Sequence, residues 1–146
     1  MSLEILSADK IQIKEQVDDW EQGITLAAQP LLSQGYFEQT YITSMIDSVK
    51  ELGPYIVIAP EIAIAHARPN DGVKKIGLSL LKLNRHINFS EDGHYASLIF
   101  VLSAVDNEGH LEILRHLAMT LGDQEVVNEI LNAQKVNEIL NIFKGE

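Results

Sequence analysis

Two histidines and an arginine occupy positions from which they can do chemistry. His66 closes the apolar run Ile62-Ala63-Ile64-Ala65, and Arg68 follows it, immediately before Pro69. Proline pushes the residue before it towards extended backbone, so His66 and Arg68 are expected to project from the same side of the chain. A neutral imidazole beside a guanidinium suits phosphoryl acceptance: a ring nitrogen attacks phosphorus while the planar cation stabilises charge on the phosphoryl oxygens. A histidine at a strand end also fits a purely structural part. His110 falls in the first turn of an expected helix, where free backbone N–H groups and the helix dipole favour an anion. There it can donate to a phosphoryl oxygen or orient the nucleophile; the alternative is an ordinary exposed first-turn side chain.

The remaining histidines add little. His116 stands six positions after His110, about 240° around a helix, so the two cannot readily share a ligand. A zinc pair on one helix needs a spacing of about four, and the chain has no cysteine, so no metal site is expected from His66, His110 and either His86 or His94. His116 is expected to border the core beside Leu117, and His86 and His94 to lie exposed in turn-rich stretches. No G-x-S-x-G elbow, P-loop or G-x-G-x-x-G fingerprint occurs. Carboxylates such as Glu51, Asp71 and Asp106 are scattered over caps and turns, with no glycosidase-like pair among them.

The elements that must position these residues follow from periodicity. Ile11-Gln12-Ile13 reads as a short edge strand. Asp18 or Asp19 can cap a helix through Trp20, Ile24, Ala27 and Leu31 that ends at Gly35, with Pro30 predicting a kink or break near Gln29. A second helix spans about Glu38 to Leu52, with Tyr41, Ile42, Met45, Ile46 and Val49 on its apolar face, and stops at Gly53-Pro54. Tyr55 to Ala59, Ile62 to Ala65, Ile76 to Leu83 and Ala96 to Val105 are uniformly apolar and suit strands covered on both faces. Turns are expected at Asn70-Asp71-Gly72 and Ser90-Glu91-Asp92-Gly93. Asp106 to Gly109 supplies a helix start, and Leu111, Ile113, Leu114, Leu117, Ala118 and Leu121 form that helix's apolar face up to Gly122. Asp123 can cap a further helix through Val126 to Leu131, and Val136 to Phe143 complete the pattern. The fold class is therefore an α/β sandwich, a mixed central sheet with helices on both faces, in a single domain over 1–146.

Composition narrows the function. A chain of 146 residues that is 46% hydrophobic can bury roughly two thirds of its unfolded surface in one core. No apolar run approaches the ~20 residues of a membrane span, and the N-terminus lacks a signal-peptide layout, so a soluble, cytoplasmic protein without direct membrane insertion is expected. A net charge of −10 disfavours nucleic acid as a partner. Between Lys50 and Arg85, six basic residues (Lys50, Arg68, Lys74, Lys75, Lys82, Arg85) stand against three acidic ones (Glu51, Glu61, Asp71). This stretch reads either as an ordinary solvated face or as a small cationic zone for an anionic group or acidic partner.

The order helix, helix, Gly53-Pro54-Tyr55-Ile56, then Ile62-Ala63-Ile64-Ala65-His66-Ala67-Arg68-Pro69, Leu98-Ile99-Phe100-Val101-Leu102 and Asp106-Asn107-Glu108-Gly109-His110-Leu111 covers nearly the whole chain. It resembles the mannitol/fructose-type IIA components of the bacterial sugar phosphotransferase system. The Gly-Pro-Tyr and His-Ala-Arg-Pro elements are most similar to the ascorbate-type branch. The resemblance implies that His66 accepts a phosphoryl group at Nε2 from the phosphohistidine of HPr and passes it to a IIB component, whose acceptor in the ascorbate branch is a cysteine. The sugar is then phosphorylated during transport through the membrane component IIC. His110 matches the supporting histidine, and no cofactor or metal is implied. The mannitol branch has His-Gly where this chain has His66-Ala67, and an arginine that corresponds roughly to Lys50; family members commonly carry proline in place of Ala65. Positive charge for the phosphoryl group would come from Arg68 or from Lys50. The same resemblance admits a free-standing regulatory IIA-like module that senses phosphorylation state.

Overall fold

The computed structural model describes residues 6–68, 72–90 and 92–144. Pro69, the turn read at Asn70-Asp71 and Glu91 of the second turn lie outside them. The described strands are β1 (Ile11–Lys14), β2 (Val57–Ala59), β3 (Glu61–Ala65), β4 (Gly77–Asn88) and β5 (Tyr95–Ser103), and the α-helices are α1 (Trp20–Ser33), α2 (Gln39–Leu52), α3 (Asn107–Leu121), α4 (Gln124–Asn132) and α5 (Val136–Phe143). The strands form one mixed sheet in the order β1-β4-β5-β3-β2. β1 runs parallel to β4 and β3 parallel to β5, while β4/β5 and β2/β3 are antiparallel.

Side chains alternate across a strand, and the two faces bury different helices. Ala63, Ala65, Ile99 and Val101 pack with Ile24, Leu31, Tyr41 and Met45 of α1 and α2. Ile62, Ile64, Leu98, Phe100 and Leu102 pack with Ile113, Leu117, Ile130, Ile139 and Phe143 of α3, α4 and α5. Each fully buried Ile, Leu, Val, Met or Phe among them contributes about 1.5–3 kcal/mol, so the two layers dominate the stability of the sandwich. The same alternation sends His66, one step beyond Ala65, towards the α3 side.

Several elements differ from the sequence expectation for identifiable reasons. α1 runs unbroken past Pro30 to Ser33. A proline at 30 removes the N–H that would bond the Leu26 carbonyl, and the Gln12 side chain donates to that carbonyl instead, at 2.7 Å. The expected Tyr55–Ala59 strand shrinks to three residues at the sheet edge, where Ile58 is 49% exposed, so it is not covered on both faces. β4 extends to Asn88 because it keeps pairing with β5 through Ile87–Ala96 and Asn88–Tyr95, which places exposed His86 on a strand instead of a turn. Asp19, Asp106 and Asp123 cap α1, α3 and α4 by accepting backbone N–H groups. Among the described residues, no helix is long and apolar enough to cross a membrane.

Candidate functional site

β3 delivers His66 at its C-terminal end, and α3 delivers His110 in its first turn. The start of α3 is fixed by Asp106, whose carboxylate accepts the Gly109 N–H at 2.8 Å. A side chain at 109 would press on Ile76 at 3.1 Å and on Asp106 at 3.2 Å, so the glycine lets this turn sit close to the chain entering β4. The two imidazoles consequently meet edge to face, with ring centroids 5.0 Å apart.

The His66 ring is oriented by its own strand. Its Nδ1 lies 2.8 Å from the Ile64 carbonyl oxygen, which can only accept, so Nδ1 carries the proton. In the neutral ring Nε2 then holds the lone pair. Burial holds the His66 pKa below the ordinary histidine value, with the hydrogen bond to Ile64 acting in the opposite direction. His110 is lowered as well, first by burial and then by the charge of His66. Neither ring readily becomes cationic at neutral pH.

Both histidines and Arg68 line an open pocket of about 450 Å³. Ser48, Tyr55 and Asn107 add polar groups to its wall, and Leu52 and Leu111 form an apolar rim, 69% and 57% exposed. Leu111, expected on the buried face of α3, thus turns outward at the pocket instead. The arrangement provides an unprotonated ring nitrogen, a guanidinium, a second imidazole and the first turn of a helix around one small volume, which suits a group carrying negative charge.

Lys50 does not join this set: it lies on the last turn of α2, paired with Glu21 at 3.8 Å, and is not among the residues that line the pocket. The other cations of the basic stretch also disperse. Lys74 pairs with Glu38 and Arg85 with Glu15, Lys75 sits over the Tyr36 ring at 4.7 Å, and Lys82 is buried with its ammonium donating to the Ala133 carbonyl. Of the two readings of this stretch, the cationic zone does not assemble; of its cations, Arg68 is the one that lines the pocket. His86 lies against Tyr95 and 3.8 Å from Glu61, and His94 bonds Ser90, both away from this pocket. Among the described residues, no group of three or more histidine, aspartate or glutamate side chains is placed to hold a metal ion.

Sequence periodicity assigned Tyr41 to a core face and Tyr55 to the start of a strand, and it missed what their hydroxyls do. Tyr55 donates to the His66 carbonyl at 2.7 Å and sets its ring edge-on to the imidazole, centroids 5.4 Å apart. The Tyr41 hydroxyl accepts from the Ala67 N–H at 3.2 Å and donates to the Leu102 carbonyl at 2.6 Å. The Gly-Pro-Tyr element was the available signal for Tyr55; nothing in the spacing marked Tyr41.

A family model described as "Phosphoenolpyruvate-dependent sugar phosphotransferase system, EIIA 2" matches residues 4–146. The mannitol-specific cryptic phosphotransferase enzyme IIA component of Escherichia coli K12 is 30% identical over 91% of this chain and 90% of its own length. The solution structure of the Escherichia coli mannitol-specific cryptic enzyme IIA superposes with a TM-score of 0.90 at 28% identity, covering 98% of this chain and 97% of that one. The ascorbate-specific EIIA component of Escherichia coli K12 is 28% identical over 91% of this chain and 88% of its own length. The mannitol IIA chain in a complex with phosphorylated enzyme IIB from Escherichia coli aligns with a TM-score of 0.85 at 25% identity, over 96% of this chain and 97% of that one.

Proposed function

Because this chain belongs to the EIIA 2 family of the phosphoenolpyruvate-dependent sugar phosphotransferase system, we propose that it is a phosphoryl carrier with His66 as the acceptor. The observation that carries the reading is the Nδ1 contact with the Ile64 carbonyl, which leaves Nε2 as the nucleophilic nitrogen in a ring that lines the pocket. Nε2 attacks the phosphorus of phospho-HPr, the N–P bond of the donor breaks, and its electron pair returns to the donor ring. Nδ1 keeps its proton throughout, so the step needs no general base. The attack passes through a loose transition state that depends on positioning and charge stabilisation. Arg68, rather than Lys50, supplies positive charge to the phosphoryl oxygens, and His110 supports the group without carrying it. The next step passes the phosphoryl group to a IIB component that feeds a IIC transporter; the Escherichia coli mannitol complex, in which a similar IIA chain is bound to phosphorylated IIB, supports this partner. The Gly53-Pro54-Tyr55 and His66-Ala67-Arg68-Pro69 elements favour ascorbate or a related sugar acid as the sugar served. We read residues 1–146 as one IIA domain.

The test is phosphoryl uptake from phosphorylated HPr, followed by a panel of ascorbate-type and mannitol-type IIB acceptors. The wild type should gain one acid-labile, base-stable phosphate. His66→Ala should take up none, and His110→Ala and Arg68→Ala should each slow transfer by about 10²-fold while retaining the acceptor. Lys50→Ala should stay close to wild type. Undiminished label on the His66 variant would sink the assignment.

A further inference from the structure

We propose that Tyr41 and Tyr55 are positioning residues for His66, each hydroxyl holding one end of the peptide bond between His66 and Ala67. The reason for positioning His66 rests on its role as phosphoryl acceptor; the clamp itself is a matter of geometry. Tyr55 holds the carbonyl end of that peptide, and Tyr41 holds the N–H end. Tyr41 is anchored in turn to Leu102 of β5 and packs its ring on Phe37, with centroids 4.9 Å apart. Pairing between β3 and β5 ends at Ala65 and Val101, so the Tyr41 hydroxyl bridges the two chains just past their last rung, between Ala67 and Leu102.

Rotation about the Cα–C bond of His66 would swing both ends of that peptide and break both contacts. The imidazole hangs from the same Cα, with Nδ1 tethered to Ile64. The two hydroxyls hold the backbone from which the ring hangs, so the Nδ1 contact with Ile64 depends on them, and Nε2 takes one direction. Tyr41 is fully buried and its hydroxyl is pushed up to about 12 by burial, so it stays protonated and keeps its donor for Leu102 throughout the working range. The Tyr55 hydroxyl is also raised by burial, with the Ser48 hydroxyl opposing, so it keeps its proton at neutral pH. Both tyrosines come from one unit, α2 and the turn that ends it, so a single element sets the acceptor's backbone.

Tyr41→Phe and Tyr55→Phe keep the rings and remove the hydroxyls. Steady-state uptake from phospho-HPr and nitrogen-15 NMR of the His66 ring would be measured on both, with Tyr95→Phe at the far end of the sheet as control. Tyr55→Phe should lower kcat by about ten-fold at unchanged KM, the scale of one lost orienting hydrogen bond. Its His66 ring should show a weakened preference for the Nδ1–H tautomer. Tyr41→Phe should have the larger effect, since it strands a buried N–H and carbonyl, and a urea melt would confirm that it remains folded. Wild-type kcat with an unchanged His66 ring spectrum in Tyr55→Phe would overturn the inference, as would a rise in KM alone. The ring spectra are recorded on unphosphorylated protein. A shifted tautomer in Tyr55→Phe, alongside a wild type that takes up no phosphate, would uphold the clamp while overturning the acceptor reading.

Discussion

Burial makes His66 a weaker base than a free imidazole, and the pH behaviour of the site follows from that sign. Its folded pKa lies below the ordinary value of about 6.5. An NMR titration of the ring should therefore show a midpoint below about 6.5, and the ring should stay neutral and competent to attack throughout the neutral range. Between the lowered folded value and the unfolded one, the unfolded chain binds more protons. Stability contributed through this group is therefore constant above the unfolded pKa and falls as pH drops through that window. A midpoint above the free-imidazole value would contradict the burial reading. The histidines were legible in the sequence because their positions announce them: one ends an apolar run, and the other stands in the first turn after an aspartate cap. The tyrosine hydroxyls were not, since a ring at helical spacing reads as core whatever its oxygen bonds. The partners of Tyr41, Ala67 and Leu102, are distant in sequence and become neighbours only in the fold.

Elements were legible where chemistry punctuates the chain. Asp19, Asp106 and Asp123 start helices as read, and Gly53 stops α2. Gly53 adopts φ 89° and ψ −173°, a region open essentially to glycine alone, and a Cβ there would meet nothing within 4 Å. Gly53→Ala should thus cost about 1–3 kcal/mol from backbone strain, read as a lowered urea midpoint. Because Tyr55 follows directly from this turn, the same variant should also slow phosphoryl uptake. Pro30 misled because a local rule was overridden from a distance: the Gln12 side chain supplies the bond that the proline withholds. The strand lengths misled in both directions, β2 too long and β4 too short, since pairing partners set strand ends and composition records only burial.

At the scale of the whole molecule, β5 is the shared wall. Its odd-numbered Ile99 and Val101 serve the α1/α2 layer, and its even-numbered Leu98, Phe100 and Leu102 serve the α3–α5 layer. Ile99→Ala opens a space beneath Gly23, where α1 approaches so closely that a Cβ would fall 2.9 Å from the Ile99 side chain. It should cost about 2–5 kcal/mol and lower the midpoint of one cooperative transition seen alike by circular dichroism and tryptophan fluorescence. The layered architecture was legible from the apolar runs; the basic stretch was left open between a solvated face and a cationic zone, because the carboxylates that pair with Lys50, Lys74 and Arg85 stand elsewhere in the chain. The topology also bears on the order of assembly. β4 and β5 form a hairpin that closes a short loop, whereas β3 must find β5 across the intervening hairpin, and α3 must then fold back over both. Closure over longer spans carries the greater entropic cost, so the meeting of His66 with His110 is expected among the later steps of folding. Under the proposed acceptor role, the paired imidazoles would be presented to a donor only once β3 has docked on the hairpin, and competence to receive a phosphoryl group would follow that docking.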